Sequence, residues 1–412
     1  MATYYSGQMS NNELNAYLEG CIQKHSMRHV DAMAHILGFK RSPFVFNDAS
    51  RRLKDAVIVA LDAEWFERGS KSITELGIAL TEAQSMTIKP LQPLENMAVR
   101  HARIKENAHM VNGKLCDGYP EDFQFGKTGF VSMTEGQDLL RFNFQPYDKN
   151  GKLRPVIFLG HAVDNDIEAL KQKMSIDISE MGNIVMTLDT QVMAQELNMG
   201  GGRKLGLKDI LAQYNIEEKY LHNAGNDVVY TMIAACFLAS EVRNPNEYRS
   251  HQRNQIEVNS IKEQLRNKCR LDFGIATFCT RCDSTEHMVK QCKAKVSCQF
   301  CASKPRYINV SHTHKTEKCG VAIRVVVPCQ ICSTSTDPKR WNRANTHNTE
   351  DCRFGVSGST PIYVTRSFLP PPSPYTLSSY SVCPSPSFLY SGYGYGPDVP
   401  ASYPYGHSFS KY

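Results

Sequence analysis

Ala56-Val57-Ile58-Val59-Ala60-Leu61-Asp62-Ala63-Glu64-Trp65 is the stretch on which the fold turns. Residues 56–61 form a continuous apolar run, the pattern of a strand buried on both faces of a sheet. The run ends in two acids one residue apart. Side chains alternate across a strand, so Asp62 and Glu64 project to the same side. Facing carboxylates repel unless something neutralises them, and a divalent metal with oxygen ligands is the usual answer. Alone, an Asp-x-Glu pair is a weak signal, because most such pairs are solvated surface.

Outward from this strand, residues 73–80 read as a second strand. Residues 84–155 read as a long mixed segment holding a third strand and a large insertion. Residues 155–159 and 184–188 are further buried strands, while 164–174, 206–214 and 226–239 have helical periodicity. Strands first, then strand and helix in alternation, predict an α/β domain with a mixed sheet. In Leu159-Gly160-His161-Ala162-Val163-Asp164-Asn165-Asp166-Ile167-Glu168 a buried strand stops at Gly160 and Asp166 opens a helix. That places a carboxylate at a strand's carboxyl end, where α/β sheets keep their sites. In His222-Asn223-Ala224-Gly225-Asn226-Asp227-Val228 the last acid lies in the first turn of an apolar helix, where Asp and Asn also serve as caps.

Together these elements resemble the DEDD superfamily of 3′–5′ exonucleases, whose sheet has the ribonuclease H-like fold. Asp62 and Glu64 match its first motif, Asp166 its second, and His222 with Asp227 its third. Histidine five residues before the last Asp marks the DEDDh branch, and tyrosine four before it marks the other. Those positions hold His222 and Asn223, so the chain looks like DEDDh. Residues 160–166 are similar to the small RNA exonucleases of that branch, and 73–79 to the superfamily's second strand. Residues 103–108 and 123–126 resemble a fungal branch, some of whose members work in RNA silencing; silencing proteins are therefore expected partners. The resemblance covers roughly residues 56–240. It implies two Mg²⁺ or Mn²⁺ ions held by Asp62, Glu64, Asp166 and Asp227. It also implies His222 as general base on a mobile loop, and release of nucleoside 5′-monophosphates. Asp164 and Glu168 receive no role, since Asp166 fits the motif's spacing better.

The N-terminus lacks the basic start and apolar stretch of a secretory signal. No apolar run reaches the roughly 18 residues of a membrane span. Both absences point to the cytosol or nucleus, with no membrane partner. Thiols stay reduced there, so the 14 cysteines call for an explanation other than disulfides. Cys279, Cys282, His287 and Cys292 have the spacing C-x2-C-x4-H-x4-C of a retroviral-type zinc knuckle, able to complete a tetrahedral Zn²⁺ site. Asp283 and Glu286 stand where such knuckles usually carry glycine. The pattern recurs with longer centres, at Cys298, Cys301, His314 and Cys319 and again at Cys329, Cys332, His347 and Cys352. His312 competes with His314 for the second site, and the H-x4-C spacing favours His314. Up to three structural zinc ions are thus expected. Knuckles hold single-stranded RNA or DNA by stacking and backbone contacts, for which Phe278, Arg281, Phe300, Arg306, Tyr307 and Trp341 are placed; docking of a protein is the alternative.

Charge agrees with this division. The net charge is +6, yet residues 241–355 hold 20 Lys+Arg against 11 Asp+Glu, or +9, leaving −3 for the rest. A basic block beside a slightly acidic one suits a nucleic-acid-binding appendage on an enzyme. The expected organisation is an N-terminal helical region (1–50), an exonuclease domain (51–243), a linker helix (244–275), three fingers (276–355) and a disordered Ser/Pro/Tyr-rich tail (356–412). The leading function is a metal-dependent 3′–5′ exonuclease on single-stranded nucleic acid, RNA in preference. A non-catalytic nucleic-acid-binding or scaffold protein is the rival from another class, and a DNA-directed exonuclease the third reading.

Overall fold

The structure, a computed structural model, describes residues 9–67, 72–84, 86–113, 116–319, 329–338 and 340–341. The chain divides into two units, 1–355 and 356–412. The whole tail 356–412 lies outside the described residues, as do His347 and Cys352.

Among the described residues three helices precede the first strand: α1 (Asn11–His25), α2 (His29–Ile36) and α3 (Asn47–Leu53). The strands are β1 Val57–Trp65, β2 Ile73–Glu82, β3 Ala98–Ile104, β4 Thr128–Val131, β5 Val156–Gly160 and β6 Ile184–Asp189. They make one six-stranded sheet in the order β4-β3-β2-β1-β5-β6. The central β1 runs antiparallel to β2 and parallel to β5, and β5 is parallel to β6. On the other side β3 is antiparallel to β2 and parallel to β4. This is the mixed sheet of a ribonuclease H-like α/β fold. Strand β1 extends to Trp65, past the apolar run, because Asp62 and Glu64 stay in register with Gly77 and Glu75.

The sheet's two faces bury alternate residues of β1, as the period of two requires. Val57, Val59, Leu61 and Ala63 pack with Leu139, Leu140 and Phe144 of helix α4 (Met133–Phe144) and with Leu170 and Met174 of α5 (Asp164–Met174). Ile58 and Ala60 point the other way, into a larger core around α8 (Ala224–Glu241). All 18 residues of α8 are buried, so it is enclosed on every side rather than amphipathic. Helices α2, α6 (Thr190–Glu196) and α7 (Leu207–Gln213) pack against it, and α1, α3 and α9 (Arg253–Lys268) contribute to the same core. The N-terminal helices therefore share one core with the sheet. Helix α6 has no counterpart among the expected elements. Its N-cap, Asp189, is itself the last residue of β6, so strand and helix run together with no connecting residue between them.

Candidate active site

Three chain segments meet at the C-terminal end of β1. The first is the strand end with Asp62 and Glu64. The second is the first turn of α5, whose Asp166 meets the end of this strand. Its Oδ1 accepts a hydrogen bond from the backbone N–H of Ala63 at 3.0 Å. Asp164 and Glu168 are exposed, whereas Asp166 is buried.

The third segment is the start of α8, and glycine brings it there. A β-carbon on Gly77 would lie 1.8 Å from the carbonyl oxygen of Ala224, and one on Gly225 would lie 2.7 Å from both His101 Cβ and the Phe123 ring. Glycine at residue 77 lets the helix start rest on the backbone of β2, and glycine at residue 225 lets it close on His101 and Phe123, setting Asp227 beside Asp62. His222 precedes the helix in a left-handed conformation, φ 64°. Its backbone N–H donates to Asp227 Oδ2 at 2.8 Å, while its half-exposed ring places Nδ1 3.9 Å from Glu64 Oε1. Single side-chain atoms of Glu64, His222 and Asp227 lie within 4.8 Å of one another.

All five expected residues thus line one cleft of about 540 Å³, with Trp65, Asn112, His161, Asn165 and Lys208 among its walls. Its electrostatics are unfavourable without a cation. Burial, then Glu75, raises the Asp62 carboxyl to about 7. Burial first, and neighbouring carboxylates second, also push Glu64, Asp166 and Asp227 well above the carboxylate range. Asp62 Oδ2 and Asp227 Oδ1 are buried with no hydrogen-bond partner. An orphaned acceptor in a native core needs an explanation, and an all-oxygen, four-carboxylate donor set fits Mg²⁺ or Mn²⁺.

Several supporting residues carried no sequence signal that would set them apart. Asp189 accepts from the N–H groups of Ala162 and Val163 at 3.1 and 3.2 Å, pinning the strained turn (Ala162 φ 56°) that delivers Asp166. Glu75 lies buried behind the acids. Its Oε2 is 2.9 Å from His101 Nε2 and accepts from the N–H of Ala224 at 3.3 Å. The Ile-Thr-Glu-Leu-Gly stretch marked the strand but gave its glutamate no task.

In the cysteine-rich region two ligand sets close. Cys279, Cys282, His287 and Cys292 bring their ligand atoms within 4.8 Å of one another, and so do Cys298, Cys301, His314 and Cys319. Metal–sulfur bonds of about 2.3 Å in a tetrahedron give ligand separations of about 3.7 Å. The observed separations include 3.4 Å for Cys282–His287, 3.7 Å for Cys301–His314 and 3.5 Å for Cys301–Cys319. The twelve described cysteines are all free thiols. His312 is exposed and outside the cluster, so geometry agrees with spacing in selecting His314. Cys329 and Cys332 adjoin in the third segment, the latter's N–H 3.4 Å from the former's Sγ; their expected partners His347 and Cys352 are not among the described residues.

Two of the expected stacking residues are otherwise engaged. Phe278 is buried, its ring 5.7 Å from that of Phe130 and 5.5 Å from Lys318 Nζ. It fastens the first finger to the sheet domain and cannot stack on a base. Arg281 donates to the carbonyls of Cys292 and His312 at 3.4 and 2.9 Å, joining the two fingers. Asp283, left-handed at φ 69° where knuckles usually have glycine, completes that joint through ion pairs with Lys315 and Lys318. Arg306 and Trp341 are exposed and Phe300 and Tyr307 half-buried, so these four remain accessible.

Residues 57–238 match the profile of a DEDDh family described as DNA polymerase III subunit epsilon-like, C-terminal domain. Good for full DBP5 activity protein 2 of Saccharomyces cerevisiae is 26% identical over 197 residues, 43% of this chain and 34% of that protein. The uncharacterized nucleolar protein C2C4.08 of Schizosaccharomyces pombe is 28% identical over 176 residues, 42% of this chain and 65% of that protein. The chain thus spans less than two-thirds of the length of these relatives. Among solved structures, E. coli exonuclease I in complex with a dT13 oligonucleotide is 14% identical, over 46% of this chain and 42% of that one, at a TM-score of 0.30. S. pombe Pop2p in its Mg²⁺ and Mn²⁺ bound form is also 14% identical, over 47% and 86%, at a TM-score of 0.23. Among the described residues no helix is long and apolar enough to cross a membrane.

Proposed function

Because residues 57–238 carry a domain of the DEDDh exonuclease family, we propose that the chain removes nucleotides from the 3′ end of single-stranded nucleic acid, RNA in preference, and releases nucleoside 5′-monophosphates. The observation that carries this reading is the convergence of Asp62, Glu64, Asp166 and Asp227, with an exposed His222, on one cleft.

In this reading the four carboxylates hold two Mg²⁺ or Mn²⁺ ions, which when bound offset the charge of the reacting phosphate and make water acidic enough to attack at neutral pH. The residues of the chain do the rest. Asp62 and Asp227 supply the two unpartnered oxygens. Glu64, whose Oε1 lies 3.9 Å from His222 Nδ1, meets the strand's terminal 3′-hydroxyl in this reading. His222 takes the proton of the attacking water on whichever ring nitrogen faces it, the proton-accepting role to which an imidazole is suited. The bond between its own N–H and Asp227 keeps the ring beside the carboxylates while leaving both ring nitrogens available. Asp189 and Glu75 act as positioning residues, the first for Asp166 and the second for the start of α8.

The fingers (276–355) are proposed to retain the strand through Phe300, Arg306, Tyr307 and Trp341, and the domain at 51–243 to cut it. Preference for RNA is supported by the likeness of residues 160–166 to small RNA exonucleases. Residence in the nucleus or cytosol, with RNA-silencing proteins as partners, belongs to the same proposal. Strands of RNA and DNA labelled at either end test it: label at the 3′ end should appear first as mononucleotide, with RNA consumed faster. Early release of 5′ label, or shortening from within, would reject the assignment.

A further inference from the structure

Among the described residues the catalytic cleft is lined by five carboxylates, Asp62, Glu64, Glu67, Asp166 and Asp227, and by a single lysine, Lys208. Lys208 is itself paired with Glu218 at 2.8 Å. Metal at the carboxylates serves the reacting phosphate. The phosphates of nucleotides further up the strand must find their cations elsewhere, since backbone neutralisation supplies most non-specific affinity for nucleic acid.

One segment of the rim is built for this. From the connection after α6 into the first residues of α7 the chain reads Met199-Gly200-Gly201-Gly202-Arg203-Lys204-Leu205-Gly206-Leu207-Lys208, free of Asp and Glu, and its last three residues form part of the cleft wall. The three consecutive glycines sit at φ 78°, 62° and 87°, a region open to glycine without strain. Added β-carbons at Gly201 and Gly202 would meet nothing within 4 Å. Packing therefore does not call for glycine at those two positions, whereas the backbone path does. Met199 and Leu205 are buried and anchor the ends, the latter's carbonyl accepting from Gln191 Nε2 at 3.1 Å. Between them Gly201, Gly202, Arg203 and Lys204 are all exposed. Neither Arg203 nor Lys204 has an ion-pair partner among the described residues, in contrast to Lys208.

We propose that the 199–208 loop is a second binding site for the substrate strand, holding the sugar-phosphate backbone of nucleotides just upstream of the reacting end. Arg203 and Lys204 meet the phosphate oxygens, and the side-chain-free glycine run lets the strand pass close to the backbone. The assignment rests on the exonuclease reading above for its substrate, but its test does not require turnover.

Binding of a fluorescent twelve-nucleotide single-stranded RNA is measured by anisotropy across a salt series, with Asp166→Asn in the background to prevent cleavage. Adding Arg203→Ala with Lys204→Ala should weaken affinity about tenfold and reduce the slope of log K against log salt by about 1.4, two contacts at about 0.7 each on a single strand. The charge-preserving pair Arg203→Lys with Lys204→Arg should recover most of the affinity and the slope. In the cleavage-competent chain KM for the twelve-mer should rise several-fold, and more than KM for a dinucleotide. Unchanged affinity and slope, or an equal penalty at both lengths, overturns the loop's role. If the original chain cleaves nothing yet binding still depends on residues 203 and 204, the loop stands and the exonuclease reading falls.

Discussion

Gly77 of β2 and Ala224 of α8 touch through their backbones, with no room for a β-carbon between them: one added at residue 77 would sit 1.8 Å from the Ala224 carbonyl oxygen. Gly77 is also the register partner of Asp62. The same close approach therefore fixes the distance between the acid on the strand and Asp227, three residues along the helix. Gly77→Ala must push the helix start away. Overpacking of this kind costs about 1–3 kcal/mol, and a displacement near 1 Å at the site costs about a hundredfold in rate. Thermal melts and kcat of the variant check both; a rate within threefold of the original would show that the contact does not set the site.

His222 holds the site by its backbone and offers its ring to solvent. His222→Gln keeps the backbone bond to Asp227, so strand binding should stay within about twofold while kcat falls by about 10²–10⁴. Single-turnover kinetics with a 3′-labelled strand separate the two quantities. A rise in Kd matching the fall in rate would assign the ring to binding instead.

The metal-free site carries a pH signature. The Asp62 carboxyl is raised from 3.8 to about 7 by burial, and its three neighbours move the same way. A carboxyl that binds its proton more tightly folded than unfolded stabilises the fold fully below the unfolded pKa, and that contribution is lost as pH rises through the folded pKa. The window for Asp62 is thus about pH 4 to 7. Metal-free Tm should fall across it, and saturating Mg²⁺ or Mn²⁺ should raise Tm by several degrees at about pH 7.5 but by far less at about pH 5. An increment independent of pH would place the metal away from these carboxylates.

Phe278 and Tyr307 should separate structure from binding. Phe278→Ala empties a buried contact with Phe130 and should cost about 3–5 kcal/mol of stability. Tyr307→Ala, at a half-buried side chain packed beside the second cysteine cluster, should lower Tm far less than Phe278→Ala and lower single-strand affinity by about 1–3 kcal/mol, the worth of one stacked base. The reverse pattern in melts and anisotropy would exchange their roles.

Much of the site is legible in the chain because its chemistry is local. The apolar run before Asp62 announces a buried strand, the Gly160 turn announces a helix opened by Asp166, and α5 has the expected bounds. The H-x4-C spacing chooses His314 over His312 without coordinates. What stays hidden depends on partners distant in sequence. Nothing in Ile73–Gly77 says that the start of a far-off helix will lie on Gly77, or that Glu75 will face His101. Phe278 and Arg281 look like stacking residues because aromatic and guanidinium groups serve cores and nucleic acid alike; only the finger's docking on Phe130 and the second finger's carbonyls decide their use. The apolar run marks β1 only as far as Leu61, and its extension to Trp65 shows only in the cross-strand register with β2.

The most direct measurement is the rate of 3′-nucleotide release by Asp166→Asn beside the original chain, in saturating Mg²⁺, with equal zinc content and equal melting temperature confirmed first. The substitution keeps a side-chain oxygen at this position for the Ala63 N–H while removing the negative charge that a metal site needs. The expected result is mononucleotide release from the 3′ end by the original chain and a loss of at least about a thousandfold in the variant. Release unchanged by the substitution would contradict the site, and with it the assignment of this chain's chemistry to the four carboxylates.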